Sequence, residues 1–184
     1  YFTAEGIEAR PFLHGDYLLA GASLCGGKAY ALLEKFFREF VKEATGQERP
    51  LYQILEKLAR DGKASSAGKE TKQKLQIETT FDGTRVHPEQ TGSITNLSAD
   101  NFTPAAFVYG TLEGMSRELY QRYQTIQNGT GIQIKRMIGS GNGLRKNTVL
   151  CEIVEEMFGA KLVLAECEEE AATGAALSSM QQDE

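Results

Sequence analysis

Apolar positions recur along this chain with two different spacings, and the order of those spacings predicts alternating strands and helices. Residues 17–25, YLLAGASLC, form an apolar run that reads as a buried strand stopped by Gly26-Gly27. Apolar side chains then fall at 29, 32, 33, 36, 37, 40, 41 and 44, the spacing of an amphipathic helix over 28–44, with Gly46 as its stop. A second helix starts near Pro50, with Leu51, Ile54, Leu55 and Leu58 as its stripe. The small and polar run DGKASSAGKETK, 61–72, reads as a loop. LQIETTF, 75–81, alternates Leu75, Ile77, Thr79 and Phe81 as a strand does, and TGSITNLS, 91–98, is its expected partner. Thr103-Pro104 opens a long helix carrying Val108, Leu112, Met115, Leu119, Tyr123 and Ile126, which Asn128-Gly129 is expected to end.

The last fifty or so residues repeat the alternation. IQIKRMI, 132–138, reads as a strand with Ile132, Ile134 and Ile138 on one face. GSGNGLRKN is the turn after it. Val149, Leu150, Ile153, Val154, Met157 and Phe158 give a helix with Asn147 as its cap and Gly159 as its stop. KLVLAE, 161–166, reads as a buried strand, and 168–180 as a helix whose inward side is Ala171, Ala172, Ala175 and Ala176. Strands alternating with helices predict an α/β fold.

Composition narrows the function. A net charge of −5 argues against a nucleic-acid groove or an anionic membrane surface as partner. No apolar run approaches the ~20 residues that span a bilayer. The cysteines, Cys25, Cys151 and Cys167, are odd in number and widely spaced, which argues against a disulfide framework or a zinc site and for a cytoplasmic setting. We expect all three in or near the core. His14 and His87 lack the i, i+4 spacing of a helical metal site and read as surface or loop histidines. Because residue 1 is Tyr, we expect the chain to be part of a longer one.

The glycine turn at 139–143 carries the candidate chemistry. A turn without bulky side chains between strand and helix exposes amides at a helix N-terminus and lets a ligand reach the backbone. Gly139, Ser140, Gly141, Asn142 and Gly143 therefore suit a nucleotide's phosphate or ribose; the alternative is a tight turn without a ligand. The Walker pattern is absent. A dinucleotide fingerprint fits Gly139 and Gly141 but meets Leu144 at its third position, with Glu166 where a ribose-binding acid would sit. Arg85 and His87 read as a solvated loop held by Pro88 or as residues facing a cleft. Glu168, Glu169 and Glu170 read as acids at the positive end of the last helix. Glu113 reads as a hydrogen-bonding residue near a helix terminus or loop, and Lys28 as an exposed lysine or a phosphate contact.

The run GSGNGLRKNTVLCEIVEEMFGAKLVLAECEEEAATGAALSS resembles the end of an FGGY-type carbohydrate kinase, with EAATGAAL at 170–177 as its more specific half. FDGTRVHPEQTGSITNLSADNFTPAAFVYGTLEG resembles the family's segment leading into its long helix, with Glu113-Gly114 in the matching place. GASLCGGKAYALLEKF resembles the strand and glycine turn before its first helix. ASLCGG followed by GSGNGLRKN is most similar to the sedoheptulokinase branch.

The resemblance implies an actin-like, ribonuclease-H-like ATPase domain, the C-terminal half of a two-domain sugar kinase, over residues 1–184. It implies ATP and Mg2+ as cofactors, a ketose as substrate, and an N-terminal domain of the same protein as partner. It places Gly139, Ser140, Gly141 and Asn142 along the adenosine and phosphates, with Arg145 and Asn147 as further nucleotide-binding residues, and Gly26 and Gly27 on the adenine side. The two bends are then expected to converge. Ala31 stands where the family often has glutamine, and G-S-G with two extra residues replaces the usual G-G-G. The catalytic aspartate of the family, in a G-D-x-Q-like motif, belongs upstream, so these residues alone are expected to be inactive. A dinucleotide-dependent oxidoreductase and a catalytically silent actin-like assembly module are the competing readings.

Overall fold

Glycines on a long helix let it pack close against a neighbouring strand. The computed structural model describes residues 2–12, 15–70, 73–167 and 169–180; His14 and Glu168 lie outside the described residues. The chain divides into two compact units, Ala22–Gln121 and Tyr1–Gly21 with Arg122–Glu184.

In the first unit, α1 (Gly26–Thr45), α2 (Tyr52–Ser66), β3 (Gln76–Glu78), β4 (Ser93–Thr95) and the N-terminal part of α3 (Pro104–Thr130) pack around Leu55, Ile77, Val108 and Leu112. Strands β3 and β4 pair antiparallel with Ile77 opposite Ile94. Helix α3 comes close to β3 through its small residues: a Cβ on Gly114 would sit 2.1 Å from the Ile77 carbonyl oxygen. Helices α2 and α3 touch the same way, because a Cβ on Gly62 would lie 2.3 Å from the Ala105 carbonyl oxygen. The run expected to be a loop from residue 61 is thus the end of α2 as far as Ser66. Its small residues, Ala59 and Gly62, are the buried close-approach surface. Gly46 closes α1 in the left-handed conformation, and Thr103 Oγ1 accepts the Ala106 N–H at the start of α3.

Two buried glutamates displace apolar neighbours from the expected stripes. Glu34, not Phe36 or Phe40, turns inward on α1. Its carboxylate accepts the Leu51 N–H at 3.0 Å and the Arg38 guanidinium at 3.3 Å, so its burial leaves no unpaired charge. On α3, Glu118 is buried while Leu119 is exposed.

In the second unit, β1 (Ile7–Pro11) and β2 (Tyr17–Gly21) pair antiparallel, and β5 (Met137–Gly139) and β6 (Leu162–Leu164) pair parallel. The connection between β5 and β6 holds a one-turn helix α4 (Asn142–Arg145) and α5 (Thr148–Phe158), followed after β6 by α6 (Glu170–Met180). Val149, Leu150, Ile153 and Val154 bury one face of α5, and Gly159 closes it. Asn147 caps it as expected, its Oδ1 accepting the Leu150 N–H at 2.9 Å.

Several expectations for this unit need correction. The run at 17–25 is a short strand with Tyr17 and Leu18 exposed, because its sheet holds two strands rather than a covered stack. Its partner β1, IEARP, has no clear strand signal in the sequence, since charge and a terminal proline obscure the alternation. The strand expected at 132–138 is confined to Met137–Gly139, and Ile132 and Ile138 are exposed. Helix α3 runs past Asn128-Gly129 to Thr130 and stops at Gly131, whose N–H bonds the Gln127 carbonyl at 2.7 Å. The expected inward alanines of α6, Ala171, Ala172, Ala175 and Ala176, are all exposed.

Candidate functional site

The turn after β5 is shaped by three glycines for three different reasons. Gly139 is packed: a Cβ there would meet Leu144 Cδ1 at 2.8 Å and Leu162 Cδ1 at 3.0 Å. Gly141 is conformational, since φ 88° and ψ 158° lie where side chains are not accommodated. Gly143 sits in α4, and neither it nor Gly141 has any atom within 4 Å of the place a Cβ would occupy. The backbone is therefore open to a ligand on that side. Helix α5 follows the GSGNGLRKN turn from the Asn147 cap, as the sequence suggests, but the turn itself is partly helical. Helix α4 intervenes, and the first turn of α5 is held by buried Asn147. The side chain of Asn147 is thus engaged in capping.

Arg145, at the end of α4, turns its guanidinium to two partners. Nη2 donates to the carbonyl of Cys167 and to Glu170 Oε1, the latter at 2.5 Å. The same carboxylate oxygen accepts the Gly141 N–H at 3.3 Å. The Arg145 hydrogen bond, followed by Glu170's own backbone N–H, holds the Glu170 carboxyl below the ordinary glutamate range. Sequence reasoning placed Glu170 only at a helix end. A contact spanning 25 positions has no local signal that could have linked it to Arg145.

The other glycine turn belongs to the Ala22–Gln121 unit. Gly26, with φ 31°, opens α1, and no atom lies within 4 Å of a Cβ position on Gly26 or Gly27. Ser23 Oγ accepts the N–H of Gly26 at 2.9 Å and that of Cys25 at 3.3 Å, while donating to Glu118 Oε2 at 2.8 Å. This takes up orphan donors of the helix start. A serine three residues before the glycine pair is a legible capping signal; Glu118, most of a hundred positions away, is not. Lys28 pairs with Asp82 at 2.8 Å, and that bond raises its pKa. Buried Cys25 has its thiol pushed up, by burial first and then by the Asp82 charge.

The remaining candidates fall elsewhere. His87 is exposed beside Glu89, in a turn closed by the Thr84 N–H bonding the His87 carbonyl at 2.9 Å. Glu113 lines a cavity of about 100 Å³ with Ser66, Lys69 and Asn101. All three cysteines are free, one buried and two half-buried, as expected. Among the described residues no group of three His, Cys, Asp or Glu side chains is placed to hold a metal, and no helix is long and apolar enough to cross a membrane.

The family model described as the FGGY family of carbohydrate kinases, C-terminal domain, matches residues 9–181. A mouse (Mus musculus) sedoheptulokinase is 26% identical over 184 residues, covering 98% of this chain and 36% of its own length. The xylulose kinase of Bifidobacterium adolescentis superposes with a TM-score of 0.70 at 20% identity, over 93% of this chain and 30% of that one. The glycerol kinase of Plasmodium falciparum, solved with ADP, gives 0.60 at 18% identity, over 87% and 29%. These likenesses show an α/β domain of the actin-like ATPase fold, the class expected from the sequence. The chain spans about a third of the length of these relatives. Nothing in the comparisons supports a dinucleotide-binding unit.

Proposed function

The chain belongs to the FGGY family of carbohydrate kinases as its C-terminal domain, and on that premise we propose that it is the nucleotide-binding half of a sugar kinase. The full-length protein transfers the γ-phosphoryl group of MgATP to a hydroxyl of a ketose, with sedoheptulose as the favoured sugar. The likeness to mouse sedoheptulokinase over nearly the whole chain supports the choice of sugar. The observation that carries the nucleotide reading is the open backbone at Gly141 and Gly143 in the turn between β5 and α4. Side-chain-poor turns of this kind let a ligand approach main-chain donors directly.

In this reading Gly139, Ser140, Gly141 and Asn142 follow the adenosine and phosphates, and Gly26 and Gly27 lie on the adenine side. Arg145 and Asn147 act by holding the turn, since their side chains already have partners within the protein. Mg2+, as a hard cation that favours oxygen ligands, would supply neutralisation of the phosphate charge, and among the described residues no side-chain group is placed to hold it apart from the nucleotide. Phosphoryl transfer depends on in-line positioning, charge neutralisation and a base on the attacking hydroxyl. The base and most sugar contacts come from the N-terminal domain, so residues 1–184 alone have no turnover. The setting is cytoplasmic.

Calorimetry of the full-length protein with MgATP and with NAD, followed by a coupled assay over a panel of ketoses, tests this. Saturable MgATP binding with sedoheptulose-dependent ADP release is expected. Binding of NAD in place of MgATP, or turnover by the isolated 184 residues, overturns it.

A further inference from the structure

A glycine turn open to a ligand has few side chains of its own to hold its shape. Fixing a backbone in one conformation costs entropy, so a turn of this kind is ordered by contacts from outside it. Here Gly141 is held through both its N–H and its carbonyl. Its carbonyl accepts the Arg145 N–H at 3.2 Å, and its own N–H reaches Glu170 Oε1 at 3.3 Å. Arg145 Nη2 donates to that same oxygen at 2.5 Å and so closes a ring of three hydrogen bonds through Gly141, Arg145 and Glu170. A further bond from Arg145 to the Cys167 carbonyl ties the ring to the connection entering α6. Both side chains are largely covered, at 20% and 26% exposure, so the pair is less screened than a surface ion pair.

We propose that Arg145 and Glu170 are positioning residues for the nucleotide turn, locking Gly141 in the conformation that leaves its open side facing the ligand. The inference rests on the nucleotide reading above. It also divides the labour within the turn. The Gly141 N–H is committed to Glu170, so Gly141 meets the nucleotide through its bare Cα, and the main-chain donors for the ligand come from its neighbours. Because the ring is one unit, breaking it at either side chain releases the turn.

The test uses the full-length protein and the variants Arg145→Ala, Glu170→Ala, Glu170→Gln and the double Arg145→Ala/Glu170→Ala. The readouts are MgATP affinity by calorimetry and the separate KM values for ATP and for sugar. Each single alanine variant is expected to weaken MgATP binding on the order of tenfold through lost pre-organisation, with the sugar KM unchanged. The double variant is expected to be no worse than either single one. Glu170→Gln, which keeps an acceptor oxygen but not the charge, falls between, and it carries the comparison if Glu170→Ala does not fold. ATP affinities of the folded variants that match wild type, sugar and ATP KM values that rise together, or losses that multiply in the double variant overturn the proposal while leaving the nucleotide reading standing. A wild-type protein that binds no MgATP overturns both.

Discussion

The hydroxyl of Ser23 donates to the carboxylate of Glu118 at 2.8 Å and in the same position accepts the N–H of Gly26 at 2.9 Å. A buried charge on α3 thereby holds the first turn of α1 through one intermediate hydroxyl. Replacing Ser23 by Ala removes the acceptor of the Cys25 and Gly26 N–H groups at the start of α1 and leaves Glu118 without that donor. We expect a loss of about 1–2 kcal/mol, read as a lower urea midpoint with an unchanged slope.

Two glycine-to-alanine changes should act in opposite directions. At Gly62 the new methyl would meet the Ala105 backbone at 2.3 Å, which a flexible side chain cannot relieve. Gly62→Ala should destabilise by about 1–3 kcal/mol as α2 is forced off α3. At Gly27 nothing lies within 4 Å, and the residue is in α1. Gly27→Ala should raise stability by up to about 1 kcal/mol. Under the proposed function it should also weaken MgATP binding, because the methyl enters the space the ligand uses. Urea denaturation and calorimetry on the same two proteins decide this.

Glu170 should shape the acid limb of stability. Its folded pKa lies below the ordinary value, so the folded state favours the charged carboxylate. That stabilisation is complete above the ordinary glutamate range and disappears as pH falls through the depressed value. Thermal midpoints of wild type and Glu170→Gln should therefore converge on acidification and separate again toward neutral pH, with wild type the higher. Parallel curves would count against the pairing.

The Cys25 thiol should be slow to react. Burial first, and the nearby Asp82 carboxylate second, hold it in the protonated form, and only the thiolate is nucleophilic. Alkylation at mildly alkaline pH should lag that of a small free thiol and reach the same rate once urea unfolds the chain. Mass spectrometry of the Cys25 peptide follows both.

Periodicity recovered the elements whose pattern is local. Helix α1 with its Gly46 stop, the β3–β4 pair and the Asn147 cap all stand where residue spacing puts them. It failed where a charged residue took an interior place. A pattern built from apolar positions counts Phe36 and Leu119 as core and cannot see that Glu34 and Glu118 turn inward to hydrogen-bond partners in distant segments. It failed again at Gly62, where small residues look like a loop in composition but serve as a contact surface between helices. Of the candidate site, the two glycine turns were legible as backbone left bare. The carboxylates behind them, Glu118 and Glu170, were not, because each is joined to its turn only by the fold.

The sheets have a consequence for handling the protein in solution. Each holds two strands, so among the described residues every strand has one flank of main-chain groups outside the ladder. Strand β1 carries the ion-paired Glu8 and Arg10, and charge on an edge strand discourages another chain from docking. Strand β6 has no such guard: it reads Leu-Val-Leu, with Val163 and Leu164 exposed. Self-association of the isolated domain should begin there, and a lysine at Val163 should delay it.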